Sequence, residues 1–217
     1  MEQVTTEQIL EMLRYLAHEL IRNEDRLCEI DRLIGDGDHG IGMAEGAKAI
    51  LSTLDENKAT TIDELFKKAG LAMVNSMGGA SGIIFGSFFL GLAKGTKNKE
   101  SITVKELAIG MNQAVADIKK RGKATLGDKT MLDALIPAVE ALNNSDSPDF
   151  IIALQKAKEK AVSGVEKTKE YSAKFGRSKF LGDRSIGYQD AGATSISIMF
   201  ESMYAYLRNN REELWGE

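Results

Sequence analysis

Apolar residues in this chain return at three- and four-residue intervals almost from end to end, and only two prolines interrupt them. That period lays one apolar stripe along a helix, whereas a half-buried strand needs strict alternation, so the chain is confined to helices that bury their stripes against one another. The first segment opens at Thr5 or Thr6, with Gln8 placed to complete a capping box from Thr5 and with Ile9, Leu13, Leu16 and Leu20 on one face; it ends near Asn23. Further stripes are Met43, Ala47, Ile50 and Leu54, then Ile62, Leu65, Phe66, Ala69 and Met73, then the apolar run after Gly82, then Val104, Leu107, Met111, Val115 and Ile118. A segment from about Thr130 to Leu142 contains Pro137, which should kink or split it. Ser147 and Pro148 make a cap and first-turn pair for a helix reaching about Tyr171, and a last helix runs from about Gly192 to Arg208.

The reading is an all-α bundle of about eight helices in one domain spanning residues 1–217. A chain of 217 residues, 43% hydrophobic, suffices for one sizeable core. Lys and Arg are scattered among Asp and Glu and the net charge is −4, so no basic face is visible for nucleic acid. The apolar run Ile83 to Ala93 is about half of the roughly 20 residues a membrane span needs, and reads as a buried helix. One cysteine, Cys28, excludes a disulfide within the chain, and MEQVTTEQ lacks the pattern of a signal peptide, so the expected compartment is the cytoplasm.

Three stretches rich in glycine and charge resist helical assignment: residues 34–42, 121–129 and 172–191. The first holds DRLIGDGDHG with its neighbours, and places Asp31, Asp36 and Asp38 in one small volume. Three uncompensated carboxylates repel one another, so a cation belongs among them; Mg2+ takes carboxylate oxygens together with substrate phosphates, and two such ions could bridge a polyphosphate. Any one aspartate alone reads as a turn residue; the three together do not. Gly35, Gly37 and Gly40 also match the dinucleotide fingerprint, but no hydrophobic strand precedes them. An EF-hand fails because Ile41 stands at the glycine position and Ala47 at the glutamate position. His39 could contact a phosphate or serve as a loop hydrogen-bonder, and His18 reads as structural.

SMGGASG sets Gly78 to Gly82 at the start of a buried helix, where free amides attract anions, though glycines there also suit tight packing. There is no GxxxxGK[ST]. RGKATLGDKTMLDAL offers Gly122, Lys123, Asp128, Lys129, Thr130 and Met131 as surroundings for a base and ribose, or as a solvated turn and cap. FGRSKFLGDRSIGYQDAG brings Arg177, Arg184 and Asp190 in a loop long enough to fold over a ligand.

IDRLIGDGDHGIGMAEG, GGASG, GDKTMLDAL and GRSKFLGDRSIGYQDAGATS, in that order, resemble the DhaL or Dak2 family, the nucleotide-binding part of dihydroxyacetone kinases, over nearly the whole chain. The resemblance implies a closed barrel of about eight antiparallel helices with ADP or ATP at one end. It implies that Asp31, Asp36 and Asp38 hold two Mg2+ ions. His39, Gly40, Ile41, Gly42, Ala80, Ser81 and Arg177 would line the phosphate side, Gly122 and Met131 the base and ribose, and Asp190, Ala191 and Gly192 would close over the nucleotide. Tyr188 and Ala191 depart from the family, which commonly has histidine and proline there. The implied partners are a DhaK-type subunit that holds a ketose on a histidine, a DhaM-type phosphoryl donor of a phosphotransferase system and, in a regulatory role, a transcription regulator. An ATP-dependent kinase subunit with exchanging nucleotide is the alternative.

Overall fold

The computed structural model describes residues 1–55 and 59–210. Among them are nine α-helices: α1 (Thr6–Arg22), α2 (Glu24–Ile34), α3 (His39–Asp55), α4 (Ile62–Ser76), α5 (Gly79–Gly95), α6 (Val104–Gly122), α7 (Leu132–Asn143), α8 (Phe150–Thr168) and α9 (Ala191–Asn209). Two 3-10 turns, Ser178–Phe180 and Gly182–Ser185, break up the segment between α8 and α9. Strand β1 (Val4–Thr5) pairs antiparallel with β2 (Ser101–Ile102), which ties the start of α1 to the start of α6.

Eight of the helices close a ring in the order α1, α3, α4, α5, α6, α7, α8, α9 and back to α1, each packed on the next. Their stripes meet in one continuous core that runs from Val4 and Leu13 through Phe66, Phe88 and Phe89 to Phe150 and Phe200. Directions alternate around the ring: the starts of α3, α5, α7 and α9 and the ends of α4 and α6 all reach one cleft at the same end. Only Met77 and Gly78 separate α4 from α5, a link too short for anything but an antiparallel hairpin.

The ninth helix, α2, lies outside the ring against α3 and α9. Its sequence, EDRLCEIDRLI, buries only Leu27, Cys28 and Ile34, so its apolar stripe is too thin to stand out from the charge around it. The sequence reading therefore leaves residues 24–33 without a helix. The contact with α3 is intimate: a Cβ added to Gly40 would fall 2.0 Å from the Glu24 carbonyl oxygen and 2.7 Å from Cys28 Sγ.

Three boundaries differ from expectation for local reasons. Pro137 does not split its segment; α7 runs through it as one helix. Proline removes the amide that would bond the Asp133 carbonyl, and that oxygen faces Gly164 of α8, where a Cβ would sit 2.2 Å away. The cap of α8 is Asp149, two residues after Ser147: Asp149 Oδ1 accepts from the Ile151 and Ile152 amides, its Oδ2 pairs with the Met1 amine, and the helix ends at Thr168. Finally, α5 begins at Gly79 and α3 at His39, so the anticipated loops contribute first helical turns.

Candidate functional site

The turn between α2 and α3 is built by its own aspartate. Asp31, in the last turn of α2, accepts the amide of Gly37 at 2.9 Å and that of His39 at 3.4 Å through Oδ2, while Gly37 takes φ 79°, a region that favours glycine. This folding brings one ligand oxygen each from Asp31, Asp36 and Asp38 within 4.8 Å of one another. Burial is the main cause that raises the Asp38 carboxyl above its ordinary range, with the neighbouring Asp36 adding to it and Arg177 opposing. The guanidinium of Arg177 meets these charges: it is paired with Asp36 and lies 3.6 Å from Asp38. Carboxylates this close take a cation, and oxygen-only donors of this kind suit Mg2+.

These aspartates form one side of a cleft of about 950 Å³ at the end of the ring. Four helices, α3, α5, α7 and α9, point their first turns into it. The positive ends of their dipoles favour anions. The cleft thus sets anion-seeking helix ends opposite cation-seeking carboxylates, a pairing that fits a metal-bound polyphosphate.

The wall after Gly79 is α5, where Ala80 and Ser81 are exposed and Gly78 and Gly79 have no neighbour within 4 Å of an added Cβ. Farther along, Ile84, Ile118, Ala124, Met131 and Leu132 make an apolar floor beside Gly122, suited to a flat ring. Opposite, Asp190 caps α9 by accepting the Ala193 amide at 2.7 Å. Burial pushes its carboxyl up to about 7, the Ala193 bond and Lys129 oppose the shift, and Asp133 and Asp31 add to it.

Of the residues singled out in the sequence, Asp31, Asp36, Asp38, His39, Ile41, Gly42, Ala80, Ser81, Gly122, Met131, Arg177, Asp190, Ala191 and Gly192 all line this cleft. Gly40 does not; it is turned to the α2 interface. His39 stands in the wall with Nε2 2.8 Å from Ser195 Oγ and its ring tilted against Phe85; burial chiefly lowers its pKa, against the pull of Asp31. Sequence reasoning passed over Ser195, Phe85 and Phe175, whose residue types carry no sign of a site. It placed Lys129 around a base and ribose or in a solvated turn, and only the folded chain shows that amine to be buried.

The DAK2 domain model matches residues 33–205. A PEP-dependent dihydroxyacetone kinase ADP-binding subunit, DhaL, from Escherichia coli (strain K12) is 38% identical over 179 residues, which cover 82% of this chain and 85% of that protein. The corresponding subunit of kinase 1 from Listeria innocua is 37% identical, over 83% of this chain and 86% of that one. Among solved structures, the dihydroxyacetone kinase from C. freundii in complex with AMP-PNP and Mg2+ superposes with a TM-score of 0.70 at 28% identity; the match covers 90% of this chain and 33% of that longer one. Matched by the domain model from the end of α2 into α9, and by relatives along most of their own length, the chain belongs to the Dak2 family.

Proposed function

We propose that this chain is the ADP-binding subunit of a dihydroxyacetone kinase, a single DhaL-type domain of the cytoplasm that passes a phosphoryl group from its bound nucleotide to a ketose carried by another chain. The observation that carries this reading is the opposition of the Asp31, Asp36 and Asp38 carboxylates to the first turn of α5 across one cleft, in a chain similar to subunits of that name.

In this reading Asp31, Asp36 and Asp38 hold two Mg2+ ions, which supply charge neutralisation at the phosphate oxygens when bound. The remaining chemistry belongs to the protein. Amides at the start of α5, including Ala80 and Ser81, and the positive end of the α3 dipole at residues 39–42 orient the polyphosphate. Arg177, held near two carboxylates, supplies a positive charge on the phosphate side. Gly122 and Met131 leave room for base and ribose over the apolar floor, and Asp190 to Gly192 close the far side. Phosphoryl transfer rests on positioning and charge, so no general base is required of this chain.

The ketose would come on a DhaK-type partner and the fresh phosphoryl group from a DhaM-type donor acting on retained ADP, and a transcription regulator could dock the same subunit to sense its phosphorylation state. The test is to denature purified protein, identify released nucleotide by chromatography, and repeat after incubating native protein with labelled ATP. Stoichiometric ADP that resists exchange is expected. Rapid exchange would favour the alternative, an ATP-dependent kinase subunit. Absence of Mg2+-dependent binding would overturn the nucleotide reading.

A further inference from the structure

Lys129 is unusual in backbone and side chain alike. Its φ is 58°, in the left-handed region that residues with a Cβ enter at a cost, and its side chain is buried with 1% of the residue exposed. A strained conformation persists only where its surroundings enforce it. Here Asp133 does so: its carboxylate accepts the Gly127 and Thr130 amides at 2.5 and 2.7 Å and locks the loop on either side of Lys129. A buried ammonium also needs acceptors for its protons. Lys129 Nζ donates to the Thr168 carbonyl at 2.6 Å and to the Tyr188 carbonyl.

Those two carbonyls lie at opposite ends of the segment 169–190, which leads from α8 to α9. One amine therefore pins both ends. The ends are also laced to each other, since Thr168 Oγ1 accepts the Asp190 amide at 2.9 Å and the Lys169 carbonyl accepts the Gly187 amide at 2.7 Å. Next to Lys129, Asp128 holds the outgoing limb: its Oδ1 takes Lys174 Nζ at 2.8 Å and its carbonyl takes the Lys174 amide at 3.3 Å. Between these anchors the segment turns at Gly176, φ 65°, and carries Phe175, Gly176, Arg177 and Ser178 into the cleft wall.

We propose that Lys129 is a positioning residue that holds segment 169–190 over the cleft and thereby sets how long a nucleotide stays bound. The inference rests on the nucleotide reading above. It acts through the segment: loss of the amine removes one hydrogen bond from each end at once, which loosens the hold on Arg177 and Asp190 together. Retention, not association, is the quantity that suffers.

The test follows release of a fluorescent ADP analogue, N-methylanthraniloyl-ADP, from the Mg2+-loaded full chain by stopped flow, with amide exchange of residues 169–190 read by mass spectrometry. Lys129→Met is expected to speed release about ten-fold or more, to leave association within about two-fold, and to raise exchange in 169–190 while α4 and α5 stay protected. Asp128→Asn, which weakens one limb and spares Lys129, should give a smaller change of the same kind. If Lys129→Met does not fold, Asp128→Asn and Thr168→Val read the same segment from its two limbs. Release unchanged in every folded variant would overturn the proposal, as would faster release with exchange in 169–190 unaltered, which would mean that Lys129 acts by touching the ligand. A wild-type chain that fails to bind the analogue would overturn the nucleotide reading itself; binding with unaltered release overturns the anchor alone.

Discussion

Asp36 and Asp38 are exposed, and neither amide nor core depends on their charge, so Asp36→Asn or Asp38→Asn should leave the thermal midpoint of the nucleotide-free protein near its starting value. Mg2+-dependent ADP binding should fall by about 100-fold or more, measured by calorimetry with and without the metal. Asp190 behaves differently because its charge is what the fold resists. With its carboxyl raised from 3.8 to about 7, the folded chain keeps a proton between those values that the unfolded chain has lost. Stability of the nucleotide-free protein should therefore fall as pH rises through that window. Asp190→Asn keeps a good cap for α9 and removes the titration, so its midpoint should exceed wild type at pH 8 and lie close to it at pH 4, with about 2–4 °C for each 1 kcal/mol in a chain of this size. At this scale the sequence was legible where chemistry is dense. Asp31, Asp36 and Asp38 announce themselves within eight residues, whereas Lys129 becomes an anchor only by meeting a carbonyl 59 residues away and His39 meets Ser195 at a separation of 156.

Helix boundaries divided along the same line between local and distant causes. The Thr5–Gln8 box of α1 is visible in four residues and forms as read, with a matching Thr103–Glu106 box on α6. Thr103→Ala should cost about 1 kcal/mol in urea unfolding and leave ADP binding unchanged, since α6 begins at the end of the ring away from the cleft. Ser147 and Asp149 are comparable caps on propensity; the Met1 amine beside Asp149, 148 residues distant in sequence, accompanies the choice of the aspartate. Helix α2 escaped notice because a helix outside the ring, packed on α3 and α9 and touching α1, needs few apolar residues. Its seat can be tested at Gly40. A methyl group there meets the backbone of α2, so Gly40→Ala should destabilise the fold by about 1–3 kcal/mol in urea unfolding and weaken metal binding along with it, because the aspartates lie on α2 and on its link to α3.

For the whole molecule, the eight helices of the ring were legible because each buries a full stripe in a common core, and periodicity reports such burial directly, whereas their closure into a barrel was implied only by the family resemblance. The closure of the ring and the gathering of first turns at one end follow from alternating direction, which short links impose. A site at that end couples ligand to fold. Mg2+ and ADP together, at about 100 times the dissociation constant, should add about 2.7 kcal/mol to stability, read as a rise in thermal midpoint that either ligand alone does not reproduce and that a chelator reverses.

The position of α2 outside the ring carries a last consequence. Ring helices cannot open singly without exposing the common core, but α2 can lift away at the expense of Leu27, Cys28 and Ile34. Two of the three carboxylates lie in the connection from α2 to α3 and the third on α2 itself, so a bound ion would fasten the removable part to the fixed one. In metal-free protein, α2 should therefore exchange its amides as a separate unit well before global unfolding, and the divalent ion should act on this chain as a local stitch, slowing exchange there and nowhere else to the same degree.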